Sequence, residues 1–144
     1  MTEVNFLSHA SAIVKSSKST LIMDPWLIGS CYWRSWWNYP PVKRDSLDNL
    51  KVDAIYITHV HWDHWHGPSL KNLFPKDTLI ITHDEPNKRS VNDLMNIGFK
   101  NIKLLNGKPL IAYTIESAMK FQSLHPADIV VSTDDSDIKA VVRQ

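Results

Sequence analysis

Four of the seven histidines and one aspartate lie within eight residues of each other, as His59, His61, Asp63, His64 and His66. Imidazole and carboxylate are ligands for zinc, manganese and iron. The order His-x-His-x-Asp-His follows the apolar run Ala54-Ile55-Tyr56-Ile57, which reads as a buried strand. A compositional tract that collects metal loosely would not need a strand to deliver it. His59 and His61 are two residues apart, so in extended chain they point the same way and converge on one ion. Asp63 and His64 are adjacent and cannot share that geometry. A turn after His61 would aim them at a second position, which suggests two metals about 3.5–4 Å apart. Such a pair supplies a hydroxide nucleophile near pH 7 without a catalytic Ser or Cys. Each ion needs further ligands. His125, beyond a later strand, is the best remaining histidine, and its alternative is an exposed turn residue before Pro126. His66 would crowd the loop and is expected beside the ligands or at the surface. His9 and His83 are expected in exposed turns.

The elements around this loop follow from pattern. Val4–Leu7, Ala12–Val14 and Thr20–Met23 read as a three-strand meander, with a turn at Ser8–Ser11. Asp24 ends the third strand, and Pro25 is expected to hold it extended. It is either a turn cap or a group that orients ligands from behind. Residues 26 to 41 hold four of the six tryptophans and end in a proline pair. So aromatic a loop needs something to cover. Trp26, Trp33, Trp36 and Trp37 are therefore candidates for a hydrophobic lid on the core or, in the favoured reading, for the wall of a substrate pocket or a partner surface. Arg34, the cation among them, could meet an anionic substrate group or lie solvated. Leu47–Lys51 suits one helical turn, Val52–Thr58 the strand before the metal loop, and Ser69–Phe74 a short helix. Thr78–Thr82 suits a strand, and Asn87–Ile97 a helix stopped by Gly98. Phe99–Leu105 suits a strand, Asn106-Gly107 a tight turn, and Leu110–Tyr113 its return. Thr114–Ser123, Ile129–Val131 and Ile138–Val142 complete the strand expectations. The sum is an α/β, or layered α+β, arrangement without a glycine-rich phosphate loop.

The 144 residues are read as one domain spanning 1–144, with an ordinary apolar content. A net charge of +1 offers no basic field for nucleic acid. No run approaches the length of a membrane span, and the N-terminus lacks a basic, apolar leader. With one cysteine, Cys31, no internal disulfide forms, and a cytoplasmic location is expected.

At His59, His61, Asp63 and His64 the chain resembles the metallo-β-lactamase superfamily. Leu21-Ile22-Met23-Asp24-Pro25-Trp26-Leu27, with Gly29 and the Trp-rich loop, is similar to the ascorbate-6-phosphate lactonase-like branch. It is similar also to the metallo-β-lactamase-like domain of CMP-N-acetylneuraminate hydroxylases and to the N-acylphosphatidylethanolamine phospholipase D group. The resemblance implies an αββα sandwich with the metal site at one edge. It implies two Zn²⁺ per complete site, with Mn²⁺ or Fe as alternatives. It implies hydrolysis of an ester, lactone, amide or phosphodiester in a small-molecule substrate by a metal-bound hydroxide. His59, His61, Asp63, His64 and His125 would be ligands, Asp63 would also orient the water, and Asp24 would support. The family's later bridging Asp and last His would fall past Gln144, which implies a fold incomplete at its C-terminus. The alternative is a non-catalytic or incomplete metal-binding module acting through its Trp-rich loop, or a homo-oligomer that completes its site by self-association.

Overall fold

In the computed structural model, residues 2–105 (except 49 and 86), 115, 116 and 118–120 are described. The chain divides into two compact units, Met1–Leu105 and Asn106–Gln144. The elements named below all belong to the first.

The meander forms as expected. β1 (Glu3–Ser8), β2 (Ser11–Lys15) and β3 (Thr20–Met23) pair antiparallel. A two-strand ribbon follows, β4 (Ser30–Cys31) with β5 (Trp36–Trp37), and then α1 (Arg44–Asp48). The remaining elements alternate: β6 (Ala54–Tyr56), α2 (Gly67–Leu73), β7 (Leu79–His83), α3 (Arg89–Asn96) and β8 (Ile102–Leu105). β3, β6, β7 and β8 run parallel, so the main sheet has the order β1-β2-β3-β6-β7-β8. The only other sheet among the described residues is the ribbon.

Register explains where the core sits. Ile13, Ile22, Ile55, Ile80 and Ile102 are direct partners across five strands. They form one apolar row on one face of the sheet. Leu47, Leu70 and Leu94 from the three helices pack against this cluster, together with Phe74 and Phe99. Ile22, Ile55, Ile80, Leu70 and Leu94 are wholly buried. Each contributes roughly 1.5–3 kcal/mol of transfer free energy relative to exposure.

Several boundaries differ from the sequence expectation. α2 begins at Gly67, because Pro68 lacks the N–H that a helix's first turn leaves unused anyway. α1 ends at Asp48, before the expected Leu47–Lys51 turn is complete. β6 ends at Tyr56, two residues before Thr58, whose N–H turns to a side chain. Residues 115, 116, 118 and 119 are helical, not extended. Ile115 and Met119 stand four apart, a spacing that fits one face of a helix as well as one face of a strand. Asn106–Ile111, His125 and the strands expected at 129–131 and 138–142 lie outside the described residues. No described helix is long and apolar enough to cross a membrane.

Gly98 stops α3 through a left-handed φ of 102°. Its N–H reaches Met95 O, and Phe99 N–H reaches Leu94 O, which closes a Schellman motif with Phe99 in the core. Lys76 does similar work for α2. Its ammonium donates to Leu70 O at 3.0 Å and Lys71 O at 2.8 Å, and lies 4.5 Å from the centre of the Phe99 ring. These contacts offset the helix's unpaired carbonyls and its negative end. Lys76→Met keeps the stem but removes the donors. It should lower the unfolding free energy by about 1–2 kcal/mol in urea titration; a change indistinguishable from zero would show that the bonds contribute nothing.

Candidate metal centre

Strand polarity brings the candidate residues together. β3 and β6 are parallel neighbours, so the residues after them, Asp24 and Thr58, leave the same edge of the sheet. β2 is antiparallel to β3 with Ala12 opposite Met23, so the β1–β2 turn, which holds His9, returns to that edge too.

Asp24 is buried and is the anchor. Its φ is +43°, a left-handed conformation, not the extended one expected before proline. Aspartate tolerates this region better than most residues. Three bonds hold the backbone there. Asp24 N–H donates to Tyr56 O at 2.9 Å. Its carbonyl accepts from Ser11 Oγ at 2.6 Å and from Trp26 N–H at 2.8 Å. The carboxylate then accepts from Thr58 N–H (2.8 Å), Thr58 Oγ1 (2.7 Å) and His64 Nδ1 (2.8 Å).

Those bonds fix tautomers. Nδ1–H of His64 is committed to Asp24, so His64 Nε2 carries a lone pair. The one proton of Thr58 Oγ1 goes to Asp24, so the hydroxyl accepts from His59 Nδ1 at 2.9 Å. His59 Nε2 is then also an electron-pair donor, and it faces His61 Nδ1 at 2.9 Å. Burial first, then the neighbouring His64 and His61, holds the His59 imidazole below its usual pKa and favours the neutral ligand form.

The turn expected after His61 is present. His64 N–H and Trp65 N–H both donate to His61 O. It turns Asp63 inward, where the carboxylate is buried. Oδ1 accepts from Tyr32 Oη at 2.6 Å and Oδ2 from His9 Nε2 at 2.9 Å. Burial alone would raise the Asp63 pKa, but the bonds from Tyr32 and His9 bring it below the usual carboxylate range. The bond to Asp63, and then burial, raises that of the Tyr32 phenol, which stays a proton donor.

The donor set passes a chemical test for a cation. Asp63 Oδ2 and His64 Nε2 are 3.4 Å apart. With the His64 imidazole neutral and its Nδ1–H on Asp24, both present lone pairs to the space between them. Two ligands on one tetrahedral zinc stand roughly 3.3 Å apart, given metal–nitrogen bonds of about 2.0–2.1 Å. His9, Asp63 and His64 each offer an atom within 4.8 Å of the others. His59 and His64 rings lie 4.0 Å apart, so the histidines form one cluster.

His66 stands apart from that cluster. It is buried as the N-cap of α2, neither at the surface nor free to ligate. Ser69 Oγ receives Leu27 N–H at 2.9 Å and donates to His66 Nδ1 at 2.8 Å, so His66 Nε2–H goes to Ser30 O at 3.3 Å. Both ring nitrogens are used. His83 bonds Tyr56 Oη at 3.0 Å, away from the cluster. His125 lies outside the described residues.

The aromatic loop divides by role. Trp26 is 1% exposed and is a pillar beneath His9, with ring centres 5.4 Å apart. Trp36 meets His9 and Tyr32 edge-on at 6.0 and 5.0 Å. Trp37 points to solvent and donates to Arg34 O. Of the four tryptophans proposed from sequence, Trp33 alone lines a cavity of about 450 Å³ with Arg34, Trp62 and Trp65. Tyr32 also lines it and links it to Asp63. Cys31, at the same cavity, is buried, and burial raises its thiol pKa, which keeps it unreactive.

Sequence spacing missed His9, Thr58 and Tyr32. The usable signal was topological: once β2 pairs antiparallel with β3, its turn must stand beside Asp24. The Asp24 carboxylate carries the clearest stability consequence. Asp24→Asn replaces an acceptor oxygen with an N–H₂ facing existing donors, which should cost about 2–3 kcal/mol in chemical denaturation. A loss under about 0.5 kcal/mol would show that the carboxylate does not organise the edge.

Comparison with known proteins agrees with this architecture. Residues 3–142 match the model of the β-lactamase superfamily domain. The cytidine monophosphate-N-acetylneuraminic acid hydroxylase of Mus musculus is 34% identical over 107 residues, 72% of this chain and 18% of that protein. The chain thus spans about a fifth of the length of such relatives. Among solved structures, an isothiocyanate hydrolase from Delia radicum gut bacteria superposes with a TM-score of 0.55 at 26% identity, over 74% of this chain and 41% of that one. The diiron β-hydroxylase CmlA of Streptomyces venezuelae shares the fold, with a TM-score of 0.52 at 20% identity over 72% and 20% of the two chains.

Proposed function

Because this chain belongs to the metallo-β-lactamase superfamily, we propose that it is a metal-dependent hydrolase domain acting on an ester, lactone or phosphodiester. The observation that carries this reading is the facing pair Asp63 Oδ2 and His64 Nε2, 3.4 Å apart at ligand spacing, beside His59 Nε2 and His61 Nδ1 at 2.9 Å. His59 through Nε2 and His61 through Nδ1 would hold one ion, and Asp63 and His64 the other. His125 would join the first by family resemblance, and His9 stands beside the second, with its Nε2–H on Asp63. Bound zinc, manganese or iron would supply Lewis acidity and bring the ionisation of water near neutral pH.

The chain's own residues would do the rest. Asp63 accepts a proton and orients water, held in register by Tyr32 and His9. Asp24 and Thr58 keep His64 and His59 in the ligand tautomer, as carboxylates behind metal-binding histidines do. Trp26 and Trp36 flank His9 and limit its rotation.

Two other readings rest on particular observations. The same donors suit iron, and the 34% identity to a hydroxylase favours hydroxylation if iron is the resident metal. The exposed Trp33, Trp37 and Tyr39 favour a binding module working through the aromatic loop. Metal content by mass spectrometry, with turnover of bis(4-nitrophenyl) phosphate and of a simple lactone, separates the three. The hydrolase reading expects one to two zinc or manganese ions per chain and turnover abolished by chelation. His61→Ala should remove at least half the metal. His66→Ala should lower stability by about 1–2 kcal/mol through the lost cap, yet leave the folded protein's metal content unchanged. Equal metal content in the wild type and His61→Ala would overturn the ligand assignment.

A further inference from the structure

We propose that the 450 Å³ cavity beside the metal centre receives the flat ring of a small organic carboxylate, with Arg34 taking the carboxylate. This deepens the hydrolase reading and rests on it, since it names the substrate class of the same site.

The volume lies within the range of small-molecule sites, about 300–1,000 Å³. The walls are aromatic and arranged as faces. Trp33 and Trp62 meet at 4.7 Å with their planes 57° apart, and Tyr32 stacks on Trp62 at 5.7 Å and 16°. Trp33 is 83% and Trp62 39% exposed. Two indoles left exposed beside a cavity, with Tyr32 stacked behind one of them, favour a planar apolar guest, which gains both burial and stacking.

Charge then selects among planar guests. Among the described residues, two cations, Arg34 and Arg89, and one carboxylate, Asp93, line the cavity. Arg89 Nε stands 3.7 Å from Asp93 Oδ2, one turn along α3, so that pair is matched. No carboxylate among the described residues is within ion-pair distance of Arg34. One unmatched guanidinium suits a single carboxylate, which it can grip with two parallel N–H bonds. A dianion would find one free cation where it needs two. A neutral guest would leave Arg34 unused.

Position ties the cavity to chemistry. Tyr32 presents its ring to the cavity and its hydroxyl to Asp63 at 2.6 Å. A ring seated between Trp62 and Arg34 therefore lies one side chain from the donor cluster, and a hydrolysable bond reaching past Tyr32 meets it.

Calorimetric titration of the full chain in chelator, with 4-nitrobenzoate as the probe, tests this apart from the metal reading. Saturable binding is expected. 4-Nitrobenzamide, with the same ring and no charge, and cyclohexanecarboxylate, with the charge and no flat ring, should each bind at least fivefold more weakly. Arg34→Gln should erase the preference for the acid over the amide. Trp62→Leu should weaken both aromatic probes. No saturable binding, equal affinity for acid and amide, or a preference that survives Arg34→Gln would overturn the proposal. So would a preference lost in Arg89→Gln and kept in Arg34→Gln. Weak metal binding by the wild type alongside the expected probe binding would instead count against the hydrolase reading alone.

Discussion

A carboxylate buried without partners costs several kcal/mol, and in this fold one such group, Asp24, is fully occupied. Its two oxygens collect the Thr58 N–H, the Thr58 hydroxyl and the His64 imidazole. These donors come from the chain just after β6, while Asp24 comes from just after β3. Two parallel strands are thus locked together past the point where their backbone ladder ends. The same bonds leave His59 and His64 with lone pairs on their outward nitrogens. Stability and ligand chemistry therefore share one set of hydrogen bonds. The cost of burying Asp24 is offset by the groups it orients.

The main sheet makes that sharing possible. Parallel pairing of β3 with β6 puts two strand ends at one edge, and antiparallel pairing of β2 with β3 returns the His9 turn there. The isoleucine row from Ile13 to Ile102 sets the register of all these strands through one buried face. A slip of one residue would turn the row to the opposite face. Because that slip is so unfavourable, the relative positions of His9, Asp24 and Thr58 are fixed by apolar packing well away from them.

How much of this the sequence showed depends on the range of the interaction. His59, His61, Asp63 and His64 were legible because their spacing is local and directly follows an apolar strand. The meander, the Gly98 stop and the helix before it were legible for the same reason. Asp24 was half legible: its place at a strand end was plain, but its left-handed backbone was not, since the bonds enforcing it come from Ser11, Tyr56 and Trp26. His66 was expected beside the ligands or at the surface. Its burial as a helix cap depends on Ser69 and Ser30, and no local pattern marks that. Trp26 matched its tryptophan neighbours in composition, and only tertiary contact shows it to be a core pillar while Trp33 borders a cavity. His9 and Tyr32 reach Asp63 across long stretches of chain, so composition could not have placed them.

The aromatic loop joins the donor cluster to the cavity wall, and its two ends are held very differently. Its root is tied down by buried bonds: Leu27 and Ile28 N–H to Ser69 Oγ, Ser8 Oγ and Asn38 to Trp26 O, and Trp26 N–H to Ser11 Oγ. Its tip, with Trp33, Arg34 and Trp37, is exposed and carries few such ties. Tyr32 sits at the border, with its backbone at a left-handed φ of 48° and its hydroxyl on Asp63. Changes at the tip would alter the cavity wall without disturbing Asp24, Thr58 or the histidine tautomers, because no bond to those groups passes through Trp33 or Arg34. Changes at Tyr32 would reach both. The division between what positions the donor cluster and what borders the cavity therefore falls at this one residue, and it follows from where these hydrogen bonds stop.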